Sequence, residues 1–182
     1  MMFAFNLIMF DLDGTLVETG LEICDAVNDT LQGLGLPEVS QTQVNGWIGH
    51  GTRELLIQAL AFSSQADVAA VRVNPDFLRM SAEFDGHYQR RCGTRSHLYP
   101  QVREVLEGLR EQGVRLAVVT NKEGRFTQRV LDAHQLSALF DRVISGDSLP
   151  AKKPDPAGVL SCLAQFGVPA SHALFVGDSS ID

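Results

Sequence analysis

The sequence predicts an α/β fold in which a parallel β-sheet is covered by helices on both faces. Four apolar runs have the length of a strand, at residues 5–10, 114–120, 142–145 and 173–176. Between the last three of these runs, apolar residues recur every three to four positions, which is the period of an amphipathic helix. Strands that alternate with helices favour a parallel sheet, because each parallel connection must cross the sheet and usually does so through a helix.

Each element of this pattern is justified in chain order. The apolar start, MMFAFNLIMF, lacks the basic residues of a signal peptide and runs directly into aspartates, so it predicts a strand. Three amphipathic helices flank the later strands, and Gly113 and Gly167 mark the ends of the first and third. Their apolar faces consist of Val102, Val105, Leu106 and Leu109; Phe126, Val130 and Leu131; and Val159, Leu160, Leu163 and Phe166.

An all-helical insertion at residues 17–92 interrupts the alternation, since this stretch contains no convincing strand. The sequence SQTQ at 40–43 fits a helix capping box. Asn74-Pro75 predicts an N-cap followed by a first-turn proline. Residues 1–16 and 93–182 are therefore expected to form the core domain. The insertion's helical faces carry Cys24, Val27, Leu31 and Leu34; Leu55, Leu56, Ala59 and Leu60; and Phe77, Phe84 and Tyr88.

Composition restricts the classes of function. The chain has 182 residues, is 45% hydrophobic and carries a formal net charge of −7. It contains no basic run, which argues against a nucleic-acid partner, and no apolar run reaches the roughly 18 residues of a membrane helix. The three cysteines are widely spaced and form no CxxC pair, so a reduced cytoplasmic protein is expected rather than a disulfide or zinc protein.

Polar residues cluster where predicted strands end, which is where open parallel sheets bind ligands. The clusters are DLDGT at 11–15, TNK at 120–122 and GDSSID at 177–182, with AKKPDP at 151–156 in a loop before a helix. Each cluster alone could be a turn, a helix cap or a solvated loop. Their joint occurrence at predicted strand ends and adjoining loops favours a site.

The charges of these clusters indicate what the site would bind. If their strands are neighbours, Asp11, Asp13 and Asp178 converge, and three close carboxylates repel one another unless a cation joins them. Oxygen ligands favour a hard ion, magnesium first. A nearby lysine would neutralise both the carboxylates and a phosphate, and Thr120 and Asn121 offer donors for the remaining phosphate oxygens.

The motifs DLDGT, TNK, KKPDP and GDSSID resemble the four motifs of the haloacid dehalogenase superfamily of phosphohydrolases. The insertion is similar to the small helical cap of the phosphoglycolate phosphatase-like branch. The resemblance implies a Rossmann-like three-layer core with an inserted all-helical cap. It also implies that the strands ending at Asp11, Thr120 and Asp178 lie side by side.

The resemblance further implies a role for each matching residue. Asp11 would be the nucleophile that forms an aspartyl-phosphate. Asp13 would be the general acid and base and would give its backbone carbonyl to the metal. Asp178 would be a metal ligand, supported by Asp182. Thr120 and Lys153 match the phosphate-binding pair, and Lys153 is preferred to Lys152 because it directly precedes Pro154. The acid at Asp13 favours phosphoryl transfer over dehalogenation, because a halide leaves unprotonated.

The cap sequence WIGHGTRELL at 47–56 offers a glycine-rich loop at a helix start. His50 and Arg53 are candidates to bind a substrate carboxylate or sugar hydroxyls. The alternative is a flexible turn with a solvated arginine. Many of the phosphoglycolate phosphatases have an arginine where this chain has Gln58, so glycolate specificity stays open.

The expected function is that of a Mg²⁺-dependent cytoplasmic phosphatase, a monomer or homodimer, acting on a small phosphorylated metabolite, 2-phosphoglycolate first. One alternative is a phosphosugar mutase of the same fold. Another is an inactive truncated fragment, because the family continues with a helix and at least one more strand after GDSSID. The chain is thus expected to be C-terminally truncated, with the strand at 173–176 at a sheet edge.

Overall fold

The structure, a computed structural model, describes residues 5–182, and the chain divides into two compact units. The first unit contains the chain up to Glu18 together with His97–Asp182, and the second is Thr19–Ser96. The insertion was expected at residues 17–92. The second unit starts two residues later than that, at residue 19, and ends four residues later, at residue 96. The first four residues of the apolar start lie outside the described residues.

The strands are all in the first unit. In chain order they are β1 (Leu7–Phe10), β2 (Val17–Glu18), β3 (His97–Leu98), β4 (Arg115–Val119), β5 (Arg142–Ile144) and β6 (Ala173–Val176). Four of them form a parallel sheet in the order β5-β4-β1-β6, which confirms the predicted sheet and places β6 at its edge. Strands β2 and β3 form a separate antiparallel pair that the sequence did not predict, because two residues are too few for a periodic pattern.

Eight helices are described. They are α1 (Gly20–Gly33), α2 (Gln41–Asn45), α3 (Thr52–Ser64), α4 (Val68–Arg72), α5 (Phe77–Arg91), α6 (Val102–Glu111), α7 (Gly124–Ala133) and α8 (Ala157–Phe166). Across residues 5–182, none of these helices has both the length and the apolar character needed to cross a membrane.

Helices cover both faces of the main sheet, because every residue of β1 is buried and its side chains alternate between the faces. Leu7 and Met9 pack in one apolar cluster with Cys162 of α8. Phe10 points to the opposite face, where it lines a cavity of about 210 Å³ together with Leu106 of α6. The first unit therefore has the three layers that the resemblance implied.

The N-termini of two helices in the second unit, α2 and α5, test the capping predictions. The capping box is confirmed, because Ser40 Oγ accepts from the Gln43 N–H and Gln43 Oε1 accepts from the Ser40 N–H. The start of α5 was predicted two residues too early. Asn74 Oδ1 accepts from the Asp76 N–H at 2.8 Å, which forms a turn, and the helix begins only at Phe77.

Helices α1 and α5 are joined by ion pairs along one side. Arg91 on α5 donates two hydrogen bonds to the carboxylate of Asp29 on α1, at 2.6 and 2.8 Å. The hydrogen bond from Arg91 lowers the pKa of Asp29. Asp25, one turn earlier on α1, pairs with Arg91 at 3.5 Å and with Arg95, which follows α5. These contacts fix the register of the two helices, although their partial exposure limits what each contributes to stability.

A buried carboxyl group holds the segment that follows α5. Glu22 on α1 is fully buried, and its Oε2 accepts from the N–H groups of Gly93, Arg95 and Ser96 at 2.9, 3.3 and 3.2 Å. These three donors lie beyond the end of α5, where the helix supplies no partner for them. One side chain thus organises the backbone of residues 93–96, which directly precedes β3.

Glu22→Ala is expected to lower the free energy of unfolding by about 2 kcal/mol, because it leaves three backbone N–H groups without their acceptor. Glu22→Gln is the matched control, since it retains one carbonyl oxygen and should lose less. Urea denaturation followed by circular dichroism measures both. Equal losses in the two variants would show that packing, and not the acceptor oxygen, is what Glu22 contributes.

Candidate active site

Three carboxylates meet at the carboxyl ends of β1 and β6. Asp11 directly follows β1, and its N–H donates to the carbonyl of Val176 at 2.9 Å. Asp178 and Asp182 follow β6. Carboxylate oxygens of the three residues lie within 4.8 Å of one another. Parallel pairing of β1 with β6 therefore places acids that are 167 residues apart in the sequence (178 − 11) at one edge of the sheet.

Two glycines leave the space in which these carboxylates sit. Gly14 has a φ of +87°, and a Cβ at this position would collide with the carboxylate of Asp178. A Cβ at Gly177 would likewise collide with the side chain of Asp182. Thr15 Oγ1 donates to Asp178 Oδ1 at 3.0 Å and fixes the orientation of that carboxylate. Both glycines are thus needed for close approach, and Gly14 also for its backbone conformation.

Lys153 supplies positive charge to this cluster. Its Nζ lies 2.7 Å from Asp11 Oδ1 and donates to Asp182 Oδ1 at 2.6 Å. The side chains of Lys153 and Asp182 are each 7% exposed, so the exposure of Asp182 as a residue lies in its main chain. Burial opposes ionisation of Asp182, but hydrogen bonds from Lys153 and Ser179 outweigh it and lower the pKa of Asp182.

Asp11 is buried, with 6% of its surface exposed. Burial raises the pKa of Asp11 to about 6, and the repulsion from Asp13 adds to this effect. Attraction to Lys153 partly opposes the rise. The group is therefore ionised at neutral pH, but at a cost in free energy that a solvent-exposed aspartate does not have.

The sequence predicted that Asp11, Asp13 and Asp178 converge, and the three carboxylates that lie within 4.8 Å of one another are those of Asp11, Asp178 and Asp182. Asp13 follows Asp11 by two residues and is near enough to raise the pKa of Asp11. The Asp13 carboxylate pairs with Lys122, whose Nζ donates to Oδ1 at 2.9 Å and to Oδ2 at 3.0 Å. Asp182 takes the third place in the cluster. The sequence reasoning gave Lys122 no role, although it is the only cation in the TNK motif.

Thr120 and Asn121, which the sequence analysis offered as phosphate donors, lie in the loop after β4, and both are buried. Thr120 donates its N–H to the carbonyl of Ile144 at 2.9 Å, and its Oγ1 accepts from the Lys122 N–H at 3.3 Å. Asn121 Nδ2 donates to the carbonyl of Lys153 at 2.9 Å. This contact joins the loop after β4 to the loop that carries Lys153.

The two candidate residues of the insertion lie near the start of α3 in the second unit. His50 is exposed and precedes Gly51, the N-cap of α3. The guanidinium of Arg53 lies 4.5 Å from the centroid of the Phe77 ring. This cation–π contact gives Arg53 a partner within its own unit.

The cluster of Asp11, Asp178 and Asp182 fits a hard divalent cation. All its donor atoms are carboxylate oxygens, which magnesium prefers. Three carboxylates face the single ammonium group of Lys153, so the cluster retains excess negative charge. Asp11 and Asp178 are the residues that could bind such an ion, with Lys153 remaining to neutralise Asp182.

A parallel α/β sheet with acids and lysines at its carboxyl edge defines a class of protein that binds and transforms ligands at that edge. The chain belongs to the haloacid dehalogenase-like hydrolase family, whose sequence profile matches residues 8–182. This finding confirms the resemblance drawn from the four motifs.

Individual relatives agree with this assignment. A phosphoglycolate phosphatase of Aliivibrio fischeri is 40% identical over 178 residues, which cover 97% of this chain and 77% of the relative. One from Pseudomonas syringae pv. tomato is 41% identical over 181 residues and is covered to 64% of its length. The crystal structure of a predicted phosphoglycolate phosphatase from Haemophilus somnus 129pt superimposes with a TM-score of 0.92 at 36% identity, covering 100% of this chain and 80% of that one.

The raised pKa of Asp11 predicts that Asp11→Asn stabilises the metal-free protein at high pH. Between the unfolded pKa of 3.8 and the folded pKa of about 6, the folded wild type binds more protons than the unfolded chain, so its stability falls as pH rises. The neutral amide of the Asp11→Asn variant does not lose stability in this way, so above pH 6 the free energy of unfolding of this variant should exceed that of the wild type by up to about 3 kcal/mol. Urea denaturation in EDTA should show a gain at pH 8 that disappears near pH 4.

Loss of stability in Asp11→Asn at pH 8 would contradict this expectation. It would mean that pairing with Lys153 outweighs the burial of the charged carboxylate. Thr15→Val, which alters the neighbouring loop without removing a charge, is the control for general effects on packing.

Proposed function

We propose that this chain is a magnesium-dependent phosphatase that hydrolyses a small phosphorylated metabolite in the cytoplasm, with 2-phosphoglycolate as the first candidate. The observation that carries the proposal is the buried carboxylate of Asp11 beside Lys153, 2.7 Å away, within a cluster of acids. Two relatives named phosphoglycolate phosphatase, at 40% and 41% identity, support the substrate. The three free cysteines suit a reducing compartment.

In the proposed reaction, a carboxylate oxygen of Asp11 attacks phosphorus in line with the ester oxygen. The new P–O bond forms an aspartyl-phosphate while the ester P–O bond breaks. Asp13 donates a proton to the departing oxygen. In the second half, Asp13 takes a proton from water, the water oxygen bonds to phosphorus, and inorganic phosphate leaves with Asp11 restored.

Positive charge and donors around Asp11 are proposed to bind the phosphoryl group. Lys153 already lies at Asp11 and would neutralise part of the phosphate charge. Thr120 and Asn121 would contribute donors from the loop after β4. Because Asn121 Nδ2 also donates to the carbonyl of Lys153, it would hold the lysine loop in register with the phosphate site.

Magnesium is proposed to bind between Asp11 and Asp178, with the backbone carbonyl of Asp13 as a further ligand. When bound, it screens the repulsion between an anionic carboxylate and an anionic phosphate. Asp182 would support the site indirectly, because it holds Lys153 through an ion pair of 2.6 Å.

His50 and Arg53 are proposed as contacts for the carboxylate of the substrate. Arg53 would have to serve both this purpose and its contact with Phe77. Gln58 Nε2, on the same helix, donates to Glu54 Oε1 at 2.9 Å. The side chain at 58 is thus engaged within the helix.

Asp11→Asn is expected to abolish release of phosphate from 2-phosphoglycolate, because an amide is not a competent nucleophile. The wild type, quenched in acid during turnover, should carry a covalent phosphoryl group that mass spectrometry locates on Asp11. Undiminished turnover in Asp11→Asn would rule out the covalent mechanism. Isomerisation of a phosphosugar without phosphate release would favour the mutase alternative.

Chelation by EDTA is expected to stop phosphate release, and added Mg²⁺ should restore it. Ca²⁺ should inhibit, because its larger and looser coordination does not hold the ligands in the geometry of attack. Mg²⁺ should also raise the melting temperature of the wild type, and less so that of Asp178→Asn, which loses a proposed ligand. A rate unchanged by exhaustive chelation would contradict the metal site.

A further inference from the structure

We propose that Lys122 is the positioning residue for Asp13, and that it orients the general acid for protonation of the leaving group. The geometry that points to this role is the two-pronged contact of Lys122 Nζ with both oxygens of the Asp13 carboxylate, at 2.9 and 3.0 Å. The inference rests on the proposed function and adds a residue to it.

Two aspartates that are close neighbours in the chain pair with two different lysines. Asp11 and Asp13 both follow β1, yet Asp11 pairs with Lys153 and Asp13 with Lys122. Lys153 already contacts Asp11 and Asp182, so Lys122 gives Asp13 a cation of its own. Lys122 therefore keeps the carboxylate of Asp13 apart from the carboxylate of the nucleophile.

The position of Lys122 is fixed by its surroundings. Its side chain is 2% exposed. Its N–H donates to Thr120 Oγ1, and its carbonyl accepts from the Gly146 N–H at 2.8 Å and from Thr127 Oγ1 at 3.2 Å. Thr127 lies on α7 and is fully buried. A lysine held in this way is a fixed point against which the Asp13 carboxylate can be oriented.

The main chain at Asp13 is also fixed, so only its side-chain torsions remain to be set. The backbone forms a bridge with Val17, and the N–H of Gly14 donates to the Val17 carbonyl at 3.0 Å. Contact of both carboxylate oxygens with one ammonium group selects one orientation of the side chain. Each oxygen has a second lone pair, which can carry the proton that is given to the leaving group and later accept one from a water molecule.

A second role for Lys122, as a direct ligand of the phosphate, is less consistent with the structure. Its ammonium group already contacts both oxygens of Asp13, and its side chain is less exposed than that of Lys153, at 2% against 7%. Lys153 is the cation that reaches Asp11, where the phosphoryl group would bind.

The test compares substrates that differ in their need for a general acid. An alkyl phosphate leaves as a basic alkoxide and needs a proton, whereas p-nitrophenyl phosphate leaves as a stabilised phenolate and does not. Lys122→Met should slow single-turnover formation of the phosphoenzyme from 2-phosphoglycolate by about 100-fold, and from p-nitrophenyl phosphate by less than about tenfold. KM should change little for either ester.

Three variants complete the experiment. Lys122→Arg, which preserves the charge, should recover most of the rate with the alkyl ester. Arg129→Met, which removes an exposed cation of α7, should leave both rates unchanged. In an Asp13→Asn background, Lys122→Met should cause no further loss with the alkyl ester, because the group it orients is already gone.

Equal losses with both esters in Lys122→Met would overturn the proposal, and so would full activity. If Lys122→Met does not fold, Lys122→Arg decides, since equal losses with both esters in a folded arginine variant would also overturn it. Failure of the underlying function is separate, because the wild type would then form no phosphoenzyme with either ester.

Discussion

The structure depends most on the concentration of negative charge at one edge of a parallel sheet. Asp11, Asp178 and Asp182 place carboxylate oxygens within 4.8 Å of one another, and Asp13 follows Asp11 by two residues. A protein with a formal net charge of −7 has little spare positive charge to offset this locally. Two lysines that are almost completely buried, Lys122 and Lys153, supply the positive charge at this edge.

Each lysine reaches the site from a different loop, and the acids come from two more, so the fold must hold four segments together. Lys122 follows β4, Lys153 lies between β5 and α8, and the acids follow β1 and β6. The register of the sheet aligns Phe10 with both Val118 and Val176, which brings the ends of the three strands to one level. Burial of apolar strands on both faces of the sheet thus supplies the free energy that keeps like charges close together.

Much of this arrangement could be predicted from the sequence, because its signals are local. Four of the strands are apolar runs, and motif acids follow two of them. The ends of these strands, and the positions of Asp11 and Asp178 there, could therefore be predicted. The pairing of Lys122 with Asp13 could not be predicted, because it joins residues 109 positions apart and depends on side-chain torsions that sequence spacing does not determine. The start of α5 was misplaced for a similar reason, since the side chain of Asn74 could cap a helix or close a turn equally well.

Asp11 and Asp182 both contact Lys153, which lowers the pKa of each, but the two pKa values shift in opposite directions because burial weighs more heavily on Asp11. For Asp11, burial outweighs Lys153, whereas for Asp182 the hydrogen bonds from Lys153 and Ser179 outweigh burial. The carboxylate of the proposed nucleophile, Asp11, is thus less stabilised by its surroundings than that of Asp182, which shares Lys153 with it. An anion held at a cost in free energy has more to gain from a cation or an electrophilic phosphorus than one already satisfied. On this argument, Asp182 keeps Lys153 in place while Asp11 remains available for the chemistry.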